Sequence, residues 1–238
     1  MKWKERFLSV LYPRRCQVCH DIVTPKGGLI CPACLKKVSF VQEPVCLRCG
    51  KEIASGEIEY CYDCSRHTHF FTRGYALAIY EDVMRDSIRK FKNGGRMEYA
   101  DWYAQAIWER YGSQLQAIGA DAVVPVPLHR GRRYQRGYNQ AELLAKRLAK
   151  KLGVPMWSDA LLRTQKTTAQ KYLGAGERKR NLESAFAVGK RPLEGKTILL
   201  ADDIYTTGGT ADACAKALLQ AGVREIYLVN VCIGENDE

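Results

Sequence analysis

The chain has 238 residues, 46% hydrophobic and 26% charged, with a formal net charge of +11. That length suits one ordinary domain plus a small one, and the balanced composition excludes a disordered or fibrous chain. No apolar run approaches the roughly 18–20 residues that cross a bilayer, and Met1–Arg6 has neither an apolar core nor a small-residue cleavage site, so a membrane span and a secretory leader are not expected. The expected location is the cytoplasm, with any contact to the inner face of the membrane made through partners.

At the start, Trp3, Phe7, Leu8 and Leu11 fall on one helical face until Pro13 ends the turn, a stripe expected to pack on the body. Four pairs then follow: Cys16–Cys19, Cys31–Cys34, Cys46–Cys49 and Cys61–Cys64, with first cysteines every fifteen residues. This is an internal repeat. A Cys-x-x-Cys turn offers two thiolates from one tight knuckle, and two knuckles complete the four-sulfur shell of a tetrahedral zinc ion. Eight cysteines therefore make two structural zinc sites. A redox pair would be one such motif in a βαβ setting, and disulfides need an oxidising compartment. An iron–sulfur cluster is the remaining rival. The spacing allows sequential pairing of the knuckles or a cross-braced one. His20, His67 and His69 lie beside the knuckles and are expected to be bystanders. A segment so poor in apolar residues folds around its metal. Residues 1–70 therefore read as a double zinc-ribbon domain and 71–238 as an α/β domain.

In the second part Tyr75–Tyr80 reads as a strand, and Val83–Phe91 and Met97–Tyr111 as helices. The run 121–127 is a buried strand ending in a rigid loop. Asn139–Leu152 is a helix capped by Asn139. Thr197–Ala201 is a strand, Thr210–Ala221 a helix closed by Gly222, and Glu225–Val231 a last strand. Cys214 and Cys232 read as small core residues. Short apolar strands alternating with helices predict a doubly wound parallel sheet, whose ligands bind beyond the strands' carboxyl ends.

Charge is uneven along this part. Residues 128–180 carry fourteen basic and three acidic side chains, an excess equal to the whole net charge. Such a stretch implies a polyanionic partner or a phosphorylated substrate. Lys146, Arg147, Lys150 and Lys151 read as an ordinary helix surface.

The sharpest local pattern is the loop Asp202–Thr210, after the strand Thr197–Ala201. Glycines Gly208 and Gly209 let backbone N–H groups turn toward an anion. Thr206, Thr207 and Thr210 add hydroxyl donors, and the following helix start adds partial positive charge. Asp202 and Asp203 would repel a phosphate but suit sugar hydroxyls, so a ribose 5-phosphate satisfies both ends. A Walker reading of Gly195-Lys196-Thr197 fails, because it needs glycine where Lys190 stands.

This loop resembles the phosphoribosyl diphosphate (PRPP) signature of type I phosphoribosyltransferases, with Tyr205 where an aliphatic residue is usual. Tyr80–Lys92, Val124–Arg130, Arg132-Arg133 to Ala141, and Arg163, Lys166, Gln170, Glu177, Arg178 and Asn181 extend the likeness. Together with the cysteine-rich head, they resemble the ComF family of competence proteins over essentially the whole chain. The resemblance implies a type I phosphoribosyltransferase-like fold and a role in DNA uptake beside the helicase-like ComFA. It implies that Asp202 and Asp203 hold ribose hydroxyls and that Thr206, Thr207, Gly208, Gly209 and Thr210 hold the 5′-phosphate. Val126, Pro127, Leu128, His129 and Arg130 would face pyrophosphate, with Mg²⁺ bridging diphosphate and ribose. His129 could serve pyrophosphate or its own loop backbone.

Arg132, Arg133, Arg136, Arg163, Lys166 and Arg178, interleaved with Tyr134, Tyr138 and Tyr172, form the candidate surface for single-stranded DNA. The leading expectation is a DNA-uptake factor with a PRPP/Mg²⁺ site and single-stranded DNA binding. The alternatives are an active phosphoribosyltransferase on an unidentified acceptor, and an adaptor that docks a helicase-like motor.

Overall fold

A computed structural model describes residues 13–164 and 185–234. The stripe at Trp3, Phe7, Leu8 and Leu11, together with Lys166, Gln170, Tyr172, Glu177, Arg178 and Asn181, lies outside the described residues. The strands are β1 (Arg73–Ile79), β2 (Ala122–Pro125), β3 (Leu161–Arg163), β4 (Phe186–Val188), β5 (Thr197–Tyr205) and β6 (Glu225–Ile233). The helices are α1 (Pro32–Leu35), α2 (Tyr62–Arg66), α3 (Asp82–Asn93), α4 (Tyr99–Ala117), α5 (Arg130–Arg136), α6 (Gln140–Leu152) and α7 (Gly209–Gln220).

A four-stranded sheet, all parallel, runs in the order β1-β6-β5-β2, and β3 pairs antiparallel with β4 as a separate ribbon. Alternation along the strands divides the core into two faces. Leu77, Val123, Leu199, Ala201 and Val229 lie under α3, α4 and α6. Ala76, Val124, Ile198, Leu200 and Leu228 lie on the other side, under Ala213, Cys214 and Leu218 of α7. Each fully buried leucine or isoleucine there stabilises by roughly 1.5–3 kcal/mol. The expected α/β class is met, with a double zinc ribbon ahead of the sheet. Cys214 and Cys232 are core residues as expected.

One expectation is corrected, and two elements appear that the sequence reading did not contain. β5 does not stop at Ala201 but continues through Asp202 and Asp203 to Tyr205, because β6 supplies ladder partners as far as Ile233. Residues 130–136 form α5, which the charge of that run masked. The hairpin β3–β4 was not foreseen, its two halves lying more than twenty residues apart.

The cysteine-rich segment meets the sheet directly. Its second half shares a core with it: Cys46, Cys49 and Cys61 belong to the same buried cluster as Leu200, Leu228 and Cys214. Gly50 has φ +79°, and a Cβ there would lie 2.6 Å from the Gly74 carbonyl oxygen in β1. Only glycine permits that approach. The Gly74 N–H donates to the Arg48 carbonyl at 2.7 Å. Further along, Val41 N–H donates to the Leu77 carbonyl (3.1 Å) and Ile79 N–H to that of Ser39 (2.8 Å), so residues 39–41 line the outer edge of β1.

The first half of the segment keeps a small core of its own, Cys16, Val23 and Cys34. Val18, Leu29 and Ile30 pack against the body's core, and polar contacts tie it further. Arg14 donates to Asp101 (2.6 Å) and to the Glu98 carbonyl (3.0 Å), and His20 bonds Tyr99 (2.9 Å) and Asp86 (3.0 Å).

Candidate functional site

The four knuckles close in sequence. Cys16, Cys19, Cys31 and Cys34 form one cluster and Cys46, Cys49, Cys61 and Cys64 the other, each with sulfurs within 4.8 Å of one another. The Cys49–Cys61 sulfur separation is 3.6 Å. Four thiolates about 2.3 Å from a zinc ion stand about 3.8 Å apart on a tetrahedron's edges, so the sulfur shell fits that ion. The histidines are bystanders, as expected. His20 bonds Tyr99 and Asp86, His67 Nδ1 lies 3.2 Å from the Asp63 carbonyl, and His69 Nδ1 lies 2.8 Å from Asp212.

The acidic pair sits at the carboxyl end of β5, where successive side chains leave on opposite faces. Asp203 turns to the α3 side and meets the Lys92 ammonium at 2.9 Å. Arg136 approaches the same carboxylate: burial lowers its pKa and the Asp203 charge opposes that shift. Asp202 turns to the α7 side. Its carboxyl is pushed up to about 7, by burial first and then by the Asp203 charge, while Lys92 and Arg163 oppose the shift. The Asp203 N–H donates to Asp202 Oδ1 at 2.8 Å. Asn230, in register with Asp202 on β6, is buried with its Nδ2 unpaired. Arg163 of β3 places its guanidinium 5.2 Å from the Phe186 ring centre in β4, and its charge is among those that oppose the upward shift of Asp202.

Beyond Tyr205 the chain turns through Thr206 and Thr207, both exposed, to Gly208 and into α7. Gly208 caps the helix at φ +80° with no side-chain capping bond, and Gly209 and Thr210 open it. Asp212, in the first turn, accepts instead from the Phe70 N–H (3.0 Å) and pairs with His69. The loop therefore offers backbone N–H groups and two hydroxyls to an anion.

The second loop leaves β2. Val126 is buried, Pro127, Leu128 and His129 are half-buried, and Arg130 is exposed. Asn139 holds this loop and caps α6 at once: its Nδ2 donates to the Val126 carbonyl (3.0 Å) and its Oδ1 accepts from the Ala141 N–H (3.1 Å). His129 Nδ1 accepts from the Gly131 N–H (3.2 Å), a contact to its own loop backbone. A cleft of about 530 Å³ opens here, bounded by His129, Arg130 and Arg133 on one side and Leu162, Arg163 and Thr164 on the other.

The candidate DNA surface divides. Arg132 and Tyr134 are exposed, Tyr134 at 93%. Arg133 pairs with Glu142 at 3.1 Å and keeps most of its side chain in solvent. Arg136 bonds Gln140 (3.1 Å) and faces Asp203. Tyr138 is corrected from a stacking residue to a packing one: it lies against Phe91 and donates to the Phe91 carbonyl. Of the α6 cations, Arg147 pairs with Asp101 and Lys151 with Gln105.

Lys92, His69 and Asp212 had no place among the expected site residues. Lys92 ends the Tyr80–Lys92 run that carries part of the family likeness, which was the one available signal for it.

Residues 7–65 match the double zinc ribbon domain family. Competence protein F of Haemophilus influenzae is 30% identical over 222 residues, 90% of this chain and 94% of its own length. The DNA utilization protein YhgH of Escherichia coli K12 is 28% identical over 223 residues, covering 92% of this chain and 97% of that protein. Among solved structures, a purine phosphoribosyltransferase from Pyrococcus horikoshii overlaps 56% of this chain and 74% of its own at 16% identity, with a TM-score of 0.36. So loose an overlap carries no weight beside the strand order itself.

Proposed function

This chain belongs to the ComF family of competence proteins, and we propose that it serves DNA uptake, binding PRPP with Mg²⁺ at the end of β5 and single-stranded DNA on the basic surface beside it. One observation carries the ligand assignment: an acidic pair, a threonine–glycine turn opening a helix, and the cations Lys92, Arg136 and Arg163 converge at the strands' carboxyl ends. Ribose hydroxyls suit the carboxylates, the 5′-phosphate suits the turn, and diphosphate suits the cations. Mg²⁺ bound with the diphosphate and ribose would add positive charge near Asp202 and Asp203, and that charge would favour the ionised form of Asp202. The relatives' names, competence protein and DNA utilization protein, support the nucleic-acid half. Among the described residues no helix is long and apolar enough to cross a membrane. The expected helicase-like partner ComFA belongs to this proposal.

Calorimetric titration of PRPP with Mg²⁺ tests the ligand. Asp202→Asn combined with Asp203→Asn should weaken binding by about a hundredfold or more, since each charge-assisted bond is worth roughly 1.5–3 kcal/mol. A double variant that binds like the wild type removes the assignment. For DNA, Arg132→Gln with Arg133→Gln should flatten the salt dependence of single-strand binding by about 1.4, or 0.7 for each lost phosphate contact. Arg136 faces Asp203, so its replacement should cost PRPP more than DNA. An unchanged salt slope in the Arg132/Arg133 variant would place the DNA elsewhere.

A further inference from the structure

A chain of short contacts leads from the second cysteine cluster to the phosphate turn. Arg48 stands inside the Cys46–Cys49 knuckle. Its guanidinium donates to the Phe71 carbonyl at 2.6 Å and to the Thr72 carbonyl at 3.2 Å, and its own carbonyl accepts from Gly74. Phe71, buried in the same core as Cys46, Cys49 and Cys61, stacks on His69 (ring centres 4.9 Å apart, planes at 30°) and meets the Tyr205 ring edge-on at 6.1 Å. Tyr205 and His69 then press on the turn itself. A Cβ on Gly208 would lie 2.6 Å from the Tyr205 hydroxyl and 3.0 Å from His69 Cε1. His69 also holds Asp212 in the first turn of α7, and the neighbouring Phe70 N–H binds the same carboxylate.

None of these contacts involves the first cluster, whose segment bonds to α3 and the start of α4 and packs on the core those helices cover. The turn 206–208 has no side-chain cap of its own. Its floor is two aromatic rings and an imidazole, and that floor is fixed by a knuckle which folds only when its four thiolates are gathered.

We infer that His69, Phe71 and Tyr205 are positioning residues through which the second cysteine cluster, and not the first, sets the shape of the Thr206–Thr210 turn. Coupling of this kind is reciprocal: whatever orders the turn also secures the cluster. An anion on the turn therefore retards metal loss from Cys46, Cys49, Cys61 and Cys64 and leaves the other four cysteines indifferent. This last consequence rests on the PRPP reading above; the shape of the turn does not.

Hydrogen exchange on the full zinc-loaded chain tests the inference without any ligand. Cys61→Ser should speed exchange of the 206–210 amides at least about tenfold, equivalent to roughly 1.4 kcal/mol, whereas Cys31→Ser should leave them unchanged. Unchanged amides in Cys61→Ser, or equal acceleration by both variants, overturn it. Should Cys61→Ser open the whole sheet, Tyr205→Leu and His69→Ala decide. The turn should loosen while strand amides stay protected and two zinc ions remain, and a turn that exchanges as in the wild type overturns the inference. A chelator assay with PRPP and Mg²⁺ then reads the reciprocal effect, in which one zinc of two should leave about tenfold more slowly. If calorimetry shows no PRPP binding, the ligand assignment falls and the exchange result still stands. If PRPP binds yet slows both zincs or neither, the coupling falls.

Discussion

The two cysteine clusters come from the same repeat, yet they are built into the protein in different ways. The first encloses its own small core and meets the body through partly buried Val18, Leu29 and Ile30 and through polar contacts at its rim. The second has no separate core, because its sulfurs are part of the apolar layer that covers one face of the sheet. On that face the described helices contribute α7 and, at its margin, Ala141 of α6, and the second cluster covers the sheet beside them. Identical ligand spacing thus says where a metal is held and nothing about what depends on it. The dependence is decided by the residues around the sulfurs, such as Val41 and Phe71 beside one and Val23 and Ile30 beside the other.

That contrast is most exposed by removing one ligand from each. Cys61→Ser should lose one zinc and lower the melting temperature of the body clearly, since its sulfur belongs to the layer that covers the sheet. Cys16→Ser should lose one zinc and leave the melting of the body within a few degrees of the wild type. Equal effects in differential scanning calorimetry, with zinc counted in each variant, would break the distinction.

A gentler probe uses glycine. Gly50→Ala drives a methyl group into the Gly74 backbone at a left-handed position, and should cost about 3 kcal/mol or more by forcing the knuckle off β1. Gly27→Ala has a comparable backbone, φ +93°, but nothing within 4 Å of the new carbon, and should cost about 1 kcal/mol. Urea denaturation of the pair sharpens the comparison, because only docking separates the two sites.

The smallest effect belongs to the tether of the first cluster. Burial opposes ionisation of Asp101, yet Arg147 and Arg14 hold its carboxyl below the ordinary value. A carboxyl lowered on folding adds stability above its unfolded pKa and loses it as pH falls through the folded one. Asp101→Asn should therefore cost about 1 kcal/mol at pH 7 and nothing once acid has protonated the wild type. Thermal melts at both pH values check the sign, and a pH-independent difference would show that the tether acts by shape rather than charge.

Much of this could be read from the amino-acid order. A fifteen-residue cysteine period has few physical explanations, and it made two metal sites legible, whereas the choice of sequential over cross-braced pairing came only with the fold. The strands Tyr75–Tyr80 and Glu225–Val231 stand within two residues of β1 and β6 at each end, since a buried parallel strand must be continuously apolar. The same rule misplaced the acidic pair. Asp202 and Asp203 interrupt the apolar run, but ladder bonds are made by the backbone, and β6 goes on supplying partners past them. Lys92 was invisible for another reason: its partner Asp203 is reached only through the fold. The seating of the second cluster on β1 had one local trace, the glycines at 50 and 74, and neither says what it approaches.

The flanks of the sheet carry a last consequence. Residues 39–41 run antiparallel along β1, and on the far side Val123 of β2 exchanges hydrogen bonds with Pro155 and Trp157 (both 3.0 Å). A sheet with bare margins can recruit an extended peptide as an additional strand, or polymerise with copies of itself. Here the chain's own connecting segments pair with part of each margin of the four-stranded sheet, which opposes that mode of association there. An extended partner that joins the four-stranded sheet at those stretches must first displace these segments.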